Sequence, residues 1–406
     1  MTDLIGIDVS MGKSNVAVYH DHKCIDEYAF HHTKTGFQKL ATTVAELEHP
    51  TLYFEATGIY SRPLVRFCTD QHWAFTQLNP LQLHFNTQDL RRIKNDTTDA
   101  RKIGLAAYDN TYRLFTQQKP IYGTLRELNR FYQRMIKDIK LHQLWLHTTL
   151  QQTFPELEAL FSSRVSKLAL NIIELYPHPD FVKGLGHIKL RNQLMKNTDK
   201  KLSKTKATQK AEALLDYAKD SAPAAHKGDV QVAEVRYYAH ELKALIQQKE
   251  KIQKQLIAQA KALPEFEILT SMPGIGELTA SRIIGEVGDF TRFDNAKQIN
   301  AYIGIDLRQY QSGTYRAIDH INKRGDPYAR GLFYLTVANM RRVYGLTKVP
   351  NHIVDFYYRL RKKGPHPKLD KVATVACMNK LIKCLFVMIK SHQTYNYKLY
   401  HGLEAQ

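Results

Sequence analysis

Asp8, Glu55, Asp96 and Asp99 are four carboxylates within the first hundred residues, each placed where a metal-dependent nuclease would need one. Asp8 ends the apolar run Leu4-Ile5-Gly6-Ile7-Asp8-Val9, and Glu55 ends Thr51-Leu52-Tyr53-Phe54-Glu55. Asp96 and Asp99 stand three apart in Lys94-Asn95-Asp96-Thr97-Thr98-Asp99-Ala100, so a helix beginning there turns both onto one face. Gathered together, such groups repel one another unless a cation sits among them. Hard oxygen ligands suit Mg²⁺ or Mn²⁺, and two ions about 4 Å apart can stabilise the attacking and leaving oxygens of a phosphodiester. The chemistry indicated is phosphoryl transfer on nucleic acid. Taken singly, each carboxylate serves as well as a helix cap or dipole partner. The argument rests on the four together and on their order.

The elements that must position them follow from hydrophobic period. Residues 3–9, 14–20 and 24–30 read as three short strands, the second alternating as Val16-Ala17-Val18-Tyr19. Phe37, Leu40, Val44 and Leu47 have helical spacing over 36–48, and the strand ending in Glu55 comes next. A helix from Tyr60 to Asp70 and a strand from Trp73 to Leu78 complete the run. Three antiparallel strands followed by alternating helix and strand, with acidic residues gathering at one sheet edge, predict an RNase H-like layout.

The second half carries Met272-Pro273-Gly274-Ile275-Gly276-Glu277-Leu278-Thr279-Ala280, a turn opening a helix. Gly274 and Gly276 permit a tight turn whose amides, at a helix N-terminus, can face a phosphate, although such a sequence is more often only a turn. Further on come Tyr302-Ile303-Gly304-Ile305, Gln311-Ser312-Gly313-Thr314 and Ile321-Asn322-Lys323-Arg324-Gly325-Asp326-Pro327-Tyr328-Ala329-Arg330. On residue chemistry alone Gln-Ser-Gly-Thr is a natural turn. A serine hydroxyl is a weak nucleophile, and no histidine or lysine beside Ser312 is an obvious activator. Arg308 and Arg316, its nearest basic groups, can hold a phosphate and offset the charge that grows on it.

The segments Gly6-Ile7-Asp8-Val9-Ser10, Phe54-Glu55-Ala56-Thr57-Gly58 and Lys94 to Ala100, with the C-terminal motifs in the same order, resemble a group of bacterial insertion-sequence transposases that includes pilin-gene DNA invertases. The resemblance implies a RuvC-like DEDD domain with Asp8, Glu55, Asp96 and Asp99 as metal ligands, and a C-terminal domain with a helix-hairpin-helix element. It implies Ser312 as a nucleophile that forms a phosphoserine bond to DNA, with Lys323, Arg324 and Arg330 in a nucleic-acid-binding segment. It also implies that strand choice is delegated to a structured noncoding bridge RNA pairing with donor and target DNA. Thr97 stands where a basic residue is often found, and Asp326 where an asparagine is expected.

Composition agrees with a polyanionic partner: 58 Lys plus Arg against 39 Asp plus Glu, a formal charge of +19. Basic residues concentrate at Arg91-Arg92, Lys200-Lys201 and Arg359-Leu360-Arg361-Lys362-Lys363-Gly364, each as compatible with a solvated surface as with backbone phosphate. No apolar run long enough to span a bilayer is read, and no signal peptide. Four scattered cysteines and 18 histidines show no zinc spacing, and a reducing cytoplasm is the expected setting.

Between the motif regions, Leu125, Leu128, Tyr132, Met135, Ile139, His142 and Leu146 step by three and four, as do Val235, Tyr238, Leu242, Leu245, Lys249, Ile252 and Leu256. These predict an antiparallel coiled-coil pair within one chain, or a seam between protomers. Residues 151–230, broken by Pro155, Pro177, Pro179 and Pro223, read as short helices and loops inserted between the arms, as compatible with a mobile surface segment as with an RNA contact. The expected organisation is a RuvC-like domain over 1–115, a helical coiled-coil region over 116–264 and a mainly helical transposase domain over 265–406. The expected activity is DNA recombination by a homo-oligomer, a dimer or tetramer, with no membrane partner. The rivals are a two-metal RuvC-like nuclease that resolves branched DNA by water attack, and a noncatalytic DNA-binding protein.

Overall fold

The computed structural model describes residues 3–78, 96–109, 112, 114–115, 118–308, 311–312, 315–316, 320–362 and 367–402; for 96–97, 308, 311–312, 315–316 and 400–402 the description is of the main chain. The chain forms two compact units, Met1–Gln117 and Gln118–Gln406.

The first unit is a five-stranded sheet with helices on both faces. Strands β1 (Asp3–Ser10), β2 (Lys13–His20), β3 (Lys23–His31), β4 (Thr51–Glu55) and β5 (Phe75–Leu78) lie in the order β3-β2-β1-β4-β5. β1 and β3 run antiparallel to β2, whereas β4 is parallel to both β1 and β5. Alternation divides the sheet. Ile5, Ile7, Val16, Val18, Leu52 and Phe54 point to a core covered by α1 (Lys34–Ala45) and α2 (Arg62–Asp70) through Leu40, Val44, Leu64 and Cys68. Leu4, Ala17 and Tyr19 point the other way and meet Ala100 and Ala107 of α3 (Asp96–Asp109).

Helix limits differ slightly from the sequence expectation, for local reasons. α1 begins at Lys34 rather than 36 because the Thr33 hydroxyl accepts the Gly36 N–H, and it stops at Ala45. α2 begins at Arg62, with Pro63 in its first turn, instead of at Tyr60. Gly58 makes the preceding turn with a positive φ of 64°.

The second unit is mainly helical and built on two long helices, α4 (Pro120–Thr153) and α8 (Val230–Ala260). Leu125 near the start of α4 packs with Leu256 and Ala260 near the end of α8, while Leu146 and Leu150 pack with Val235 and Ala239, so the pair is antiparallel within one chain. A separate core sits at each end. At one end, Phe154, Leu157, Ile172, Ile173, Leu190 and Leu214 come from the end of α4, a 3₁₀ turn, α5 (Lys167–Leu175), α6 (His187–Lys196) and α7 (Lys204–Asp220). Residues 151–230 are thus a packed helical insertion, not a loose surface segment. Their apolar residues are interspersed with prolines and lysines, which hides the helical period.

At the other end lie α9 (Pro264–Thr270), α10 (Glu277–Val287), α11 (Ala296–Ile303), α12 (Pro327–Thr347), α13 (His352–Lys362), α14 (Asp370–Lys390) and α15 (Tyr397–Gly402). α14 corrects one sequence reading, because it is long and apolar enough to cross a membrane, with a mean hydropathy of 1.8. Ala373, Cys377, Leu381, Ile382 and Leu385 are fully buried among the other helices, which makes it a core helix by packing. All four cysteines are free thiols, Cys24 exposed and the others buried.

Candidate active site

Asp8 and Glu55 lie side by side. β1 and β4 are parallel with Ile7 paired to Phe54, so the next residue of each strand falls in one row at the carboxyl edge, on strands about 4.8 Å apart. Both side chains leave the sheet on the α3 face, opposite Ile7 and Phe54. On β2 the residue paired with Asp8 is Asn15, which extends the row to Asn15–Asp8–Glu55.

Two glycines bring α3 to this edge. A Cβ on Gly6 would lie 2.5 Å from the Ala100 carbonyl oxygen, and one on Gly104 would lie 2.4 Å from the Tyr19 ring. Only hydrogen at both positions allows helix and sheet to approach so closely. The Tyr19 hydroxyl donates to the Arg101 carbonyl at 3.1 Å and pins the contact. Because Leu4 clusters with Ala107 while Gly6 meets Ala100, α3 runs against β1, and its first turn, Asp96 to Asp99, lies toward Asp8. Asp99 is one-third exposed and 3.9 Å from Lys102 Nζ. Asp96 opens α3, and its side chain lies outside the described residues, as do Arg91 and Arg92.

Carboxylate oxygens suit a hard divalent cation in their chemistry, and Asp8 and Glu55 supply two such groups from adjacent strands at one edge. Among the described residues no three histidine, cysteine, aspartate or glutamate side chains by themselves form a metal-holding group.

In the second unit, α9 and α10 are joined by a turn that places Pro273 and Gly274 against α12. Gly274 has φ +94°, and a Cβ there would lie 2.7 Å from Met340 Cα. Its carbonyl accepts the Asn339 amide at 2.8 Å, and that of Pro273 accepts Asn351 at 2.9 Å. Gly276 is exposed at the N-cap of α10 with no side-chain cap, while Glu277 in the first turn pairs with Lys261 at 2.5 Å.

Ser312 lies in the second of two short two-stranded sheets. Leu307 and Arg308 pair with Ile321 and His320, and Gln311 and Ser312 pair with Arg316 and Tyr315. Ser312 and Tyr315 are the inner of these last two pairs. The side chains of Arg308, Ser312 and Arg316 lie outside the described residues. The base of the first sheet is held firmly. Gly304 and Gly325 approach so closely that a Cβ on Gly304 would lie 2.6 Å from the Gly325 nitrogen, and Arg330 Nη1 donates to the Ile303 carbonyl at 2.9 Å. Arg330 thus braces this loop, whereas Lys323 and Arg324 are exposed. Of the other basic tracts, Lys200 and Lys201 are exposed and Arg361 donates to the Lys368 carbonyl.

Sequence reading missed an ion-pair cluster beneath this loop. Asp326 Oδ2 accepts from Arg126 at 2.6 Å and from Arg130 at 2.9 Å, and Arg130 also reaches buried Glu286 at 3.3 Å. Asn129 donates to the other Glu286 oxygen at 2.7 Å. The signal available was the Arg126–Arg130 spacing, which puts both guanidiniums on one helix face.

Comparison with known proteins agrees with these two regions. Residues 5–155 match the DEDD-type transposase model of the IS110 group, and residues 266–348 match the model described as Transposase IS116/IS110/IS902 family. An insertion element IS110 protein of Streptomyces coelicolor is 25% identical over 321 residues, 77% of this chain and 74% of the relative. The pilin gene-inverting protein of Moraxella bovis is 22% identical over 408 residues, 98% of each chain. The transposase for IS1111A of Coxiella burnetii is 38% identical over 80 residues, 20% of this chain and 22% of the relative.

Proposed function

We propose that this chain, a member of the IS116/IS110/IS902 transposase family by the two segments that match it, is a DNA recombinase that breaks and rejoins strands through a phosphoserine bond. The observation that carries the reading is the pairing of Asp8 and Glu55 at one sheet edge, with the α3 turn bearing Asp96 and Asp99 directed to the same place. The strand order, with β1 antiparallel to β2 and parallel to β4, supports an RNase H-like, RuvC-like unit. The family match suggests divalent metal use.

In this reading Asp8, Glu55, Asp96 and Asp99 hold Mg²⁺ or Mn²⁺, which when bound supplies charge stabilisation to a scissile phosphodiester. Ser312 Oγ attacks phosphorus; its new P–O bond replaces the bond to the departing deoxyribose oxygen, which takes up the proton. Arg308 and Arg316 offset charge on the phosphate. The bond conserves phosphodiester energy, so the reverse attack rejoins DNA. The α9–α10 turn, with Gly274 and Gly276, serves as a helix-hairpin-helix phosphate contact, and Lys323 and Arg324 as further basic contacts. Alignment with a gene-inverting protein over 98% of both chains favours rejoining over hydrolysis. A guiding noncoding bridge RNA, and a dimer or tetramer that shares its sites between protomers, complete the proposal.

The test incubates the protein and its copurified RNA with Mg²⁺ and DNA carrying the native element junction. The expected result is an SDS-resistant protein–DNA adduct on a peptide containing Ser312, lost in both Ser312→Ala and Asp8→Ala. Cleavage without adduct that persists in Ser312→Ala would make the chain a hydrolytic nuclease. Normal DNA binding with no strand ever broken would make it a binding protein alone.

A further inference from the structure

Asn15 is 93% buried by its 7% exposure, and its Nδ2 has no hydrogen-bond partner. A buried amide hydrogen without a partner is costly, and the great majority of such groups are satisfied in folded proteins. Of the buried side-chain polar atoms left unpaired among the described residues, two belong to the first unit, Asn15 Nδ2 and Thr57 Oγ1, and both border the acidic edge. Asn15 is the residue paired with Asp8 across β1 and β2, and Thr57 follows Glu55 by two residues.

The side Asn15 faces is settled by its neighbours. Val16 and Val18 point into the core beneath α1 and α2, and Ala17 and Tyr19 into the cluster with α3, so Asn15 shares the α3 face with Asp8 and Glu55. A hydrogen-bond donor is a poor ligand for a cation but a good partner for an anionic oxygen brought in beside one. The carboxylates can supply only acceptors, so a phosphate entering this edge would meet a donor from the protein at Asn15.

We propose that Asn15 binds substrate at the acidic edge, its Nδ2–H donating to a nonbridging oxygen of the DNA phosphate. The inference rests on the reading of this edge as the metal-dependent DNA-cleaving site. It makes the free protein carry an unpaired donor that substrate satisfies, so removing the donor should weaken substrate binding without weakening the fold.

The test uses the full-length protein and a fluorescent single-stranded DNA oligonucleotide, titrated in EDTA and again in Ca²⁺, which occupies carboxylate sites without promoting strand cleavage. The reading of the edge requires a Ca²⁺-dependent gain in affinity that Asp8→Ala abolishes. Asn15→Ala and Asn15→Leu are expected to lose about tenfold of that gain, the worth of one hydrogen bond to a charged oxygen. Asn15→Ser, which keeps a donor, should recover part of it. Calorimetric Ca²⁺ binding without DNA should be unchanged in the Asn15 variants, and their melting temperature in EDTA equal or higher. If Asp8→Ala keeps the gain, the reading of the edge fails. If Asp8→Ala loses it while Asn15→Ala and Asn15→Leu keep it, the Asn15 assignment fails alone. A lower melting temperature in both apolar variants would also overturn that assignment, because it would show the amide to be satisfied within the fold.

Discussion

Asp326 performs two tasks with its two oxygens. Oδ1 accepts the N–H groups of Tyr328 and Ala329 and caps α12, and Oδ2 accepts Arg126 and Arg130. An asparagine in its place would keep the cap but leave both guanidiniums to Glu286. Asp326→Asn is therefore expected to lower unfolding free energy in urea by about 1–3 kcal/mol, as loss of one member of a largely buried ion pair does. Asp326→Ala should cost about 1 kcal/mol more through the lost cap. Equal losses in the two variants would show that the charge has no role. The cap had a local signal, an aspartate before a proline, although Asp326 was read only as standing where an asparagine is expected. The guanidinium partners were not, because they lie 200 and 196 residues away along the chain.

At the scale of elements, the acidic edge depends on how closely α3 lies on β1. Gly6→Ala puts a methyl group 2.5 Å from the Ala100 carbonyl, and neither backbone segment can yield without moving the helix. A loss of about 1–3 kcal/mol in stability is expected from the overpacking. Adduct formation should fall further than stability accounts for, because α3 carries Asp96 and Asp99; assays well below the melting temperature separate the effects. Full activity in a Gly6→Ala protein that remains folded would mean that the position of α3 does not set the chemistry. The strands around this edge were legible because β1, β2 and β4 alternate or run apolar with few interruptions. The exact seating of α3 was not, since Gly6 and Gly104 read in sequence only as small residues.

For the whole molecule, each unit has its own apolar core, that of the first around Ile5, Ile7 and Phe54 and those of the second around Leu269 and Ile284 and around Phe154 and Ile173. Residues 1–117 and 118–406 expressed separately should each unfold cooperatively on heating, followed by circular dichroism. Neither alone should form the DNA adduct, because the carboxylates lie in one part and Ser312 in the other. An adduct formed by 118–406 alone would remove the acidic edge from the mechanism.

Residue types and order along the chain pointed to a class of chemistry, through carboxylates ending apolar runs and a charge of +19 suited to a polyanion, while the role of Ser312 came only from the family resemblance. Local period likewise determined the strands and the two long helices, because alternation and heptad spacing follow from backbone geometry that each segment satisfies alone. Tertiary structure decided what lies opposite what. It paired Asn15 with Asp8, joined Asp326 to Arg126 and buried α14 among its neighbours. Those outcomes depend on strand register and on contacts between residues distant in the chain, which no local pattern specifies.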